Sequence, residues 1–297
     1  MAKILYHKTF YDTITITVFF TEECVYMGLF FNYDKEGPGV DKYAPKKKGI
    51  FLYFELFFRK FWLLIKANLL YFAVSLPVMA VYNIIIMNAL TAFLPTEYKG
   101  MEWQWSLILT AIVTILWGTG PVTAGYTYLL RNFAREEHIW LTSDFFEKSK
   151  ECFKLGITVL LTDIAVMFLG INAASVYIAM IKSGASFARF ALGVLIFLLI
   201  IHTFMHYYIY EFGVTFENRI RKTLKNAYIM AIATIPANRF LTLFVLIFTF
   251  FAFSPLAPFA IILLLFILWI SFMRFPIDFY TARLIKRRFI DEKNGEN

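Results

Sequence analysis

The sequence predicts an all-α membrane protein with six transmembrane helices arranged as three hairpins, each preceded by a basic amphipathic interfacial helix. Three observations predict it. Six apolar stretches, all but the short fifth long enough for the ~20 residues that carry a helix across a bilayer, run through 297 residues. The chain is 60% hydrophobic and 20% aromatic with a mean hydropathy of +0.64, more apolar side chain than an aqueous core of this size hides. Of the 29 Lys and Arg, all but Lys99, Lys182, Arg189 and, at the edge of the last stretch, Arg274 flank these stretches on one side. By the positive-inside rule that side is cytoplasmic, so both termini are expected there.

Residues 1–48 read as a polar tail, 49–282 as one membrane domain, and 283–297 as a basic tail. Within the first tail, Thr13–Val18 alternates like a strand. Two readings of residues 1–26 stay open: a real tail, or an extension upstream of a start at Met27, where the preceding Glu22-Glu23 pair suits a ribosome-binding sequence. The Gly- and Pro-rich stretch Asn32–Lys48 ends in three lysines at the expected membrane surface. Phe51, Phe54, Phe58 and Phe61 then recur at helical spacing among Arg59, Lys60 and Lys66, a helix lying in the interface.

The apolar runs follow at Leu69–Leu90, Trp105–Leu130, Leu155–Ile181, Phe190–Tyr210, Phe240–Phe253 and Pro255–Phe275. Pro77 loosens the first. In the second, Gly118-Thr119-Gly120-Pro121 breaks the helix near its middle, because Pro lacks a backbone donor and Gly frees the turn before it. Trp103 and Trp105 read as interfacial belt residues at the outer end. The fifth run is short and its turn at Phe253-Ser254-Pro255 tight, so a single re-entrant segment is the alternative to the last pair. A charged segment precedes each pair (Phe54-Glu55, Phe146-Glu147, Phe216-Glu217), and tyrosines or phenylalanines follow it (Tyr126 and Tyr128; Tyr207, Tyr208 and Tyr210; Phe279 and Tyr280). This reads either as three repeated units or as the ordinary basic and aromatic dressing of a membrane interface.

Gly120-Pro121-Val122-Thr123-Ala124-Gly125, then Arg131, Glu136-Glu137, Trp140 and Asp144-Phe145-Phe146, together with Ser75-Leu76-Pro77-Val78 and Met27-Gly28-Leu29-Phe30, resemble the YesL family of bacterial integral membrane proteins. The resemblance spans about Met27 to Arg288. It implies no assigned biochemical activity and an accessory place beside ABC-type carbohydrate importers in a bacterial cytoplasmic membrane. Gly118, Gly120, Pro121 and Gly125 then stand as a helix-break motif, and Arg131, Glu136, Asp144 and Phe145 as a contact segment.

Asp163 is the sharpest chemical candidate. It lies eight residues inside the third run, roughly 12 Å deep at 1.5 Å per residue. His202 falls at a matching depth in the fourth run, with His206 one turn further. An intramembrane carboxylate is costly and points to function by default. A proton or ion path and a structural pairing, with Asp163 held by backbone or Asn172, both remain open. A metal site would need a ligand borrowed across helices, and no metal or other cofactor is assigned. His206, Tyr207 and Glu211 are expected to reach interfacial water. Asn68, Asn83, Asn88 and Asn172 are expected to bond between helices.

No Walker loop, G-x-S-x-G, H-E-x-x-H or dinucleotide fingerprint occurs, so no enzyme is predicted. Cys24 and Cys152 fall on the expected cytoplasmic side and make no disulfide framework. The net charge of +8 sits at membrane flanks, which points to anionic lipid rather than nucleic acid. Mixed charges over Arg131–Lys154 read as a solvated helix face with pairs such as Glu147 and Glu151 against Lys150 and Lys154, or as a docking helix for importer subunits. Two functions follow: a non-enzymatic accessory component of carbohydrate uptake, or a small transporter or channel using Asp163 and His202.

Overall fold

The computed structural model describes residues 49–93, 100–216, 219–252 and 259–291, the side chains of 93 and 259–266 excepted. The strand-like Thr13–Val18, the alternative start at Met27, the lysines before Gly49, Cys24, Lys99 and the Phe253-Ser254-Pro255 turn lie outside the described residues.

Helix α1 (Gly49–Arg59) is amphipathic: Leu52, Leu56 and Phe57 are buried, whereas Phe51, Phe54 and Phe58 are exposed on the other side. It leads into α2 (Phe61–Phe93), which continues through Pro77. The second apolar run is two helices, α3 (Glu102–Leu116) and α4 (Pro121–Arg135), bent by 62° at the glycine break. Pro121 occupies the first turn of α4, where its missing N–H costs nothing. Glu136, in the left-handed region at φ 63°, closes α4, with the Glu137 N–H bonded to the Asn132 carbonyl.

Next come α5 (Leu141–Glu151), α6 (Phe153–Lys182), α7 (Ser186–Thr215), α8 (Ile220–Ala233), α9 (Ile235–Ala252) and α10 (Phe259–Ile285), closed by a π-helical turn at Lys286–Asp291. Helix α9 begins five residues before the expected fifth run, because Pro236 fits a first helical turn. Helix α10 continues ten residues past Phe275, and Pro276 does not stop it. Among the described residues, four helices, α2, α6, α7 and α9, are long and apolar enough to cross a membrane, or up to five spans if α3 and α4 count as one.

Helix α4 is the hub. It packs against α2, α5, α6, α7 and α10, and most of its residues are buried although many are polar. The outer helices show the opposite pattern. Leu161, Phe168 and Leu169 on α6, Phe190 and Phe197 on α7, and Phe240 and Ile247 on α9 stay exposed, as side chains covered by lipid would. Trp103 is exposed as a belt residue would be, while Trp105 stacks on Phe250 of α9 at 6.1 Å.

Four of the six tyrosines expected at an aqueous boundary are instead core residues, while Tyr128 and Tyr280 are half-buried. Tyr126, Tyr207, Tyr208 and Tyr210 are essentially fully buried. The first three bond across helices: Tyr126 Oη to Ser271 at 2.7 Å, Tyr207 Oη to Thr242 at 2.6 Å, and Tyr208 Oη to Thr234 at 2.6 Å. Each buries a large ring and finds a hydroxyl partner, the only cheap way to bury a phenol. His206 and Glu211 are likewise buried rather than wetted.

Candidate functional site

Asp163 on α6 and His202 and His206 on α7 meet at one level. The Asp163 Oδ1 atom lies 3.0 Å from His202 Nε2 and 2.9 Å from His206 Nε2, and the two Nε2 atoms are 3.3 Å apart. Asp163 and His206 are fully buried; the His202 side chain keeps 18% exposure. The i, i+4 spacing stacks both imidazoles on one face of α7, so one carboxylate oxygen serves both. Among the described residues, Asp163 Oδ2 and His206 Nδ1 have no hydrogen-bonding partner. Asn172 does not reach Asp163; its amide bonds the Phe168 carbonyl of its own helix at 2.8 Å.

Trp117 ties this centre to the helix break. It ends α3, and its ring stands edge-on to His202 at 5.0 Å and parallel to His206 at 6.0 Å. Its indole N–H donates to Thr203 Oγ1 at 2.9 Å, which fixes the ring against α7. The break needs such support because an interrupted helix frees backbone groups that a bilayer cannot hydrate. Gly118 and Gly120 take φ of 86° and 74°, conformations that glycine reaches without strain. Tyr82 Oη donates to the Gly118 carbonyl at 3.1 Å, and the Thr119 N–H donates to Thr123 Oγ1 at 2.6 Å. Tyr71 Oη sits 3.0 Å from both Thr119 Oγ1 and Thr123 Oγ1.

Arg274 completes the break, and sequence reasoning missed it. From α10, its Nη1 donates to the Ile115 carbonyl at the end of α3 at 2.8 Å, while Nε donates to Asp278 Oδ2 at 3.2 Å. Both residues are buried. The signal was present, since Arg and Asp four apart in an apolar stretch share a helix face, but ending the run at Phe275 put Arg274 at its edge and Asp278 beyond it.

The expected contact segment divides. Arg131 is a buried brace: Nη1 donates to the Val214 carbonyl at 2.8 Å and to Thr215 Oγ1 at 3.0 Å, and the guanidinium lies over Tyr128 at 4.6 Å. Phe145 is fully buried against α4 at Gly125. Neither is available to a partner. Asp144 accepts from the Trp140 N–H at 2.9 Å and so starts α5. Glu136 is exposed and pairs with Arg59 at 2.5 Å, joining the end of α4 to α1. Beneath it Arg135 reaches the buried Glu211 at 3.3 Å. The α5 pair joins Lys148 to Glu151, in place of the expected i, i+4 pairs, and Glu151 holds the Lys148 ammonium above its usual value.

Asn68 and Asn83 bond between helices as expected, to Ile267 and Ser271 of α10 and to Ser106 and Thr110 of α3. Asn88, like Asn172, bonds its own helix. The two instead line a cleft of about 350 Å³ between α2 and α6. Comparison with family models, curated proteins and solved structures returns no match.

Proposed function

We propose that the protein is a six-span membrane protein with a cation-binding centre at Asp163, and that it works as a small cation-linked transporter. The spans are α2, the bent α3–α4 pair, α6, α7, α9 and α10, forming three hairpins led by α1, α5 and α8. Both termini face the cytoplasm of a bacterial cell, and the basic flanks contact anionic lipid.

One observation carries the transport reading: a buried carboxylate oxygen lies within 3.0 Å of two imidazoles on another helix, and both rings rest on the tryptophan that ends a broken span. Ionisable groups at that depth are too costly to be incidental. One carboxylate and two imidazoles hold a single added positive charge well. Broken spans with satisfied backbone are where transporters place such sites. Loading the centre moves Trp117 and with it the angle between α3 and α4.

Proteoliposomes carrying a pH gradient test this. The wild-type protein dissipates the gradient, and Asp163→Asn slows it by about tenfold or more, the scale of losing one proton-transfer group. His202→Gln, at the partly exposed ring, serves where Asp163→Asn does not fold. Unchanged flux in a folded variant would overturn the transport reading.

The resemblance to the YesL family supports a second reading, a non-enzymatic accessory component beside ABC-type carbohydrate uptake. Co-purification of importer subunits from native membranes favours it. A lone chain whose proteoliposomes conduct favours the first.

A further inference from the structure

We infer that Asp163, His202 and His206 bind one divalent transition-metal ion, of the Zn²⁺ or Fe²⁺ class. The inference rests on the cation-linked reading above and names the cation.

The three atoms form a triangle with edges of 2.9, 3.0 and 3.3 Å. Metal–ligand bonds of about 2.0–2.1 Å put neighbouring ligand atoms roughly 3.0 Å apart in an octahedral site and roughly 3.4 Å apart in a tetrahedral one. The observed edges lie across that interval. An ion at equal distance from all three atoms would sit about 1 Å out of their plane, with ordinary bond lengths.

Hydrogen bonds alone can also join the three groups, because one carboxylate oxygen accepts two N–H donors and one ring can donate to the other. A cation bound to all three instead takes one lone pair from each neutral ring. It also uses Asp163 Oδ2, which lacks a partner among the described residues, as a second carboxylate contact.

The donor set selects the ion. Two imidazoles and one carboxylate, with further positions open, suit Zn²⁺ or Fe²⁺, whereas Mg²⁺ and Ca²⁺ want oxygen throughout. Three protein ligands among the described residues leave a coordination position open, unlike a closed four-ligand structural site. One carboxylate neutralises only half of a divalent charge, so the open position takes an anion such as hydroxide. Trp117 lies against both rings and is anchored to Thr203, so it packs the site, while His206 Nδ1 has no hydrogen-bonding partner among the described residues. Metal occupancy and the helix break are thereby joined through one side chain.

The test is metal titration of the purified, tag-free full chain in detergent after EDTA treatment. Co²⁺ should bind one ion per chain with a visible d–d absorption, and Zn²⁺ should displace it. Asp163→Asn and His206→Gln should each weaken binding by about 100-fold or more, since even outer-shell partners contribute roughly 10–100-fold. Where those variants do not fold, His202→Gln shows the same loss at a partly exposed ring. Absence of saturable Co²⁺ or Zn²⁺ binding up to millimolar metal, wild-type affinity in folded His202→Gln, or equal competition by Mg²⁺ would each overturn the site. Asp163-dependent proton flux in EDTA without metal binding would remove the metal and leave the transporter. Stoichiometric metal without any flux would keep the site and remove the transporter.

Discussion

Gly156 and Gly125 are the tightest points of the bundle. A Cβ on Gly156 would run into the Pro121 backbone, and one on Gly125 would meet the Phe145 carbonyl and Ser149 Oγ. Gly170 has only Leu199, at 3.7 Å, ordinary contact. Gly156→Ala and Gly125→Ala should each cost about 1–3 kcal/mol by overpacking against backbone that cannot yield. Gly170→Ala should be neutral or gain up to about 1 kcal/mol from helix propensity. Unfolding midpoints in detergent order the three. Cys152 offers a pH readout at the junction of α5 and α6. Burial pushes its thiol up, so the reactive thiolate forms only above the ordinary thiol range. In a Cys24→Ser background, alkylation at pH 7 should be slow in the folded protein and fast after unfolding; rapid labelling of folded protein would contradict the burial.

The broken span depends on a neighbouring helix. Arg274 spends one nitrogen on the Ile115 carbonyl and another on Asp278, so the end of α3 and the ion pair on α10 stand together. Asp278→Leu should destabilise by roughly 3–5 kcal/mol, because it strands a buried guanidinium. The double variant Arg274→Met, Asp278→Leu should recover part of that loss but not all, since the Ile115 carbonyl then lacks its donor. Equal stability of the double variant and the wild type would show that the carbonyl finds another partner. The same logic explains why α4 can be polar and buried at once. Thr123 meets the Tyr71 hydroxyl of α2, Arg131 donates to the Val214 carbonyl and Thr215 hydroxyl of α7, and Asn132 accepts from Arg131, while Thr127 Oγ1 has no partner among the described residues.

Across the molecule, a core of apolar side chains laced with buried polar groups is wrapped in helices whose outer faces are also apolar, unlike the surface of a water-soluble protein. Hydrophobic association is weak when the solvent is lipid, so helices are joined by hydrogen bonds and close packing. Tyr71, Tyr126, Tyr207 and Tyr208 make such bonds here. Reporter fusions after Glu137 and after the C-terminus should report the cytoplasm, and a fusion after Lys182 the opposite side. A reversed pattern would end the proposed topology. It would also place the buried charges of Arg131, Arg135 and Glu211 at the outer face.

By itself the sequence determined the helical class, the apolar runs, the break at Gly118–Pro121 and the shared level of Asp163 and His202. Each is a matter of local periodicity, backbone chemistry or residue count, which one strand of text carries. Only the tertiary structure decided which polar residues face inward. It turned Tyr207 and Glu211 from a wet boundary into the core, took Arg131 and Phe145 out of the contact surface, kept Asn172 from Asp163, and brought Arg274 to the end of α3. The physical reason is that a hydrogen-bond partner in a bilayer comes from another helix. Its identity depends on how helices distant in sequence rotate about their axes as they pack.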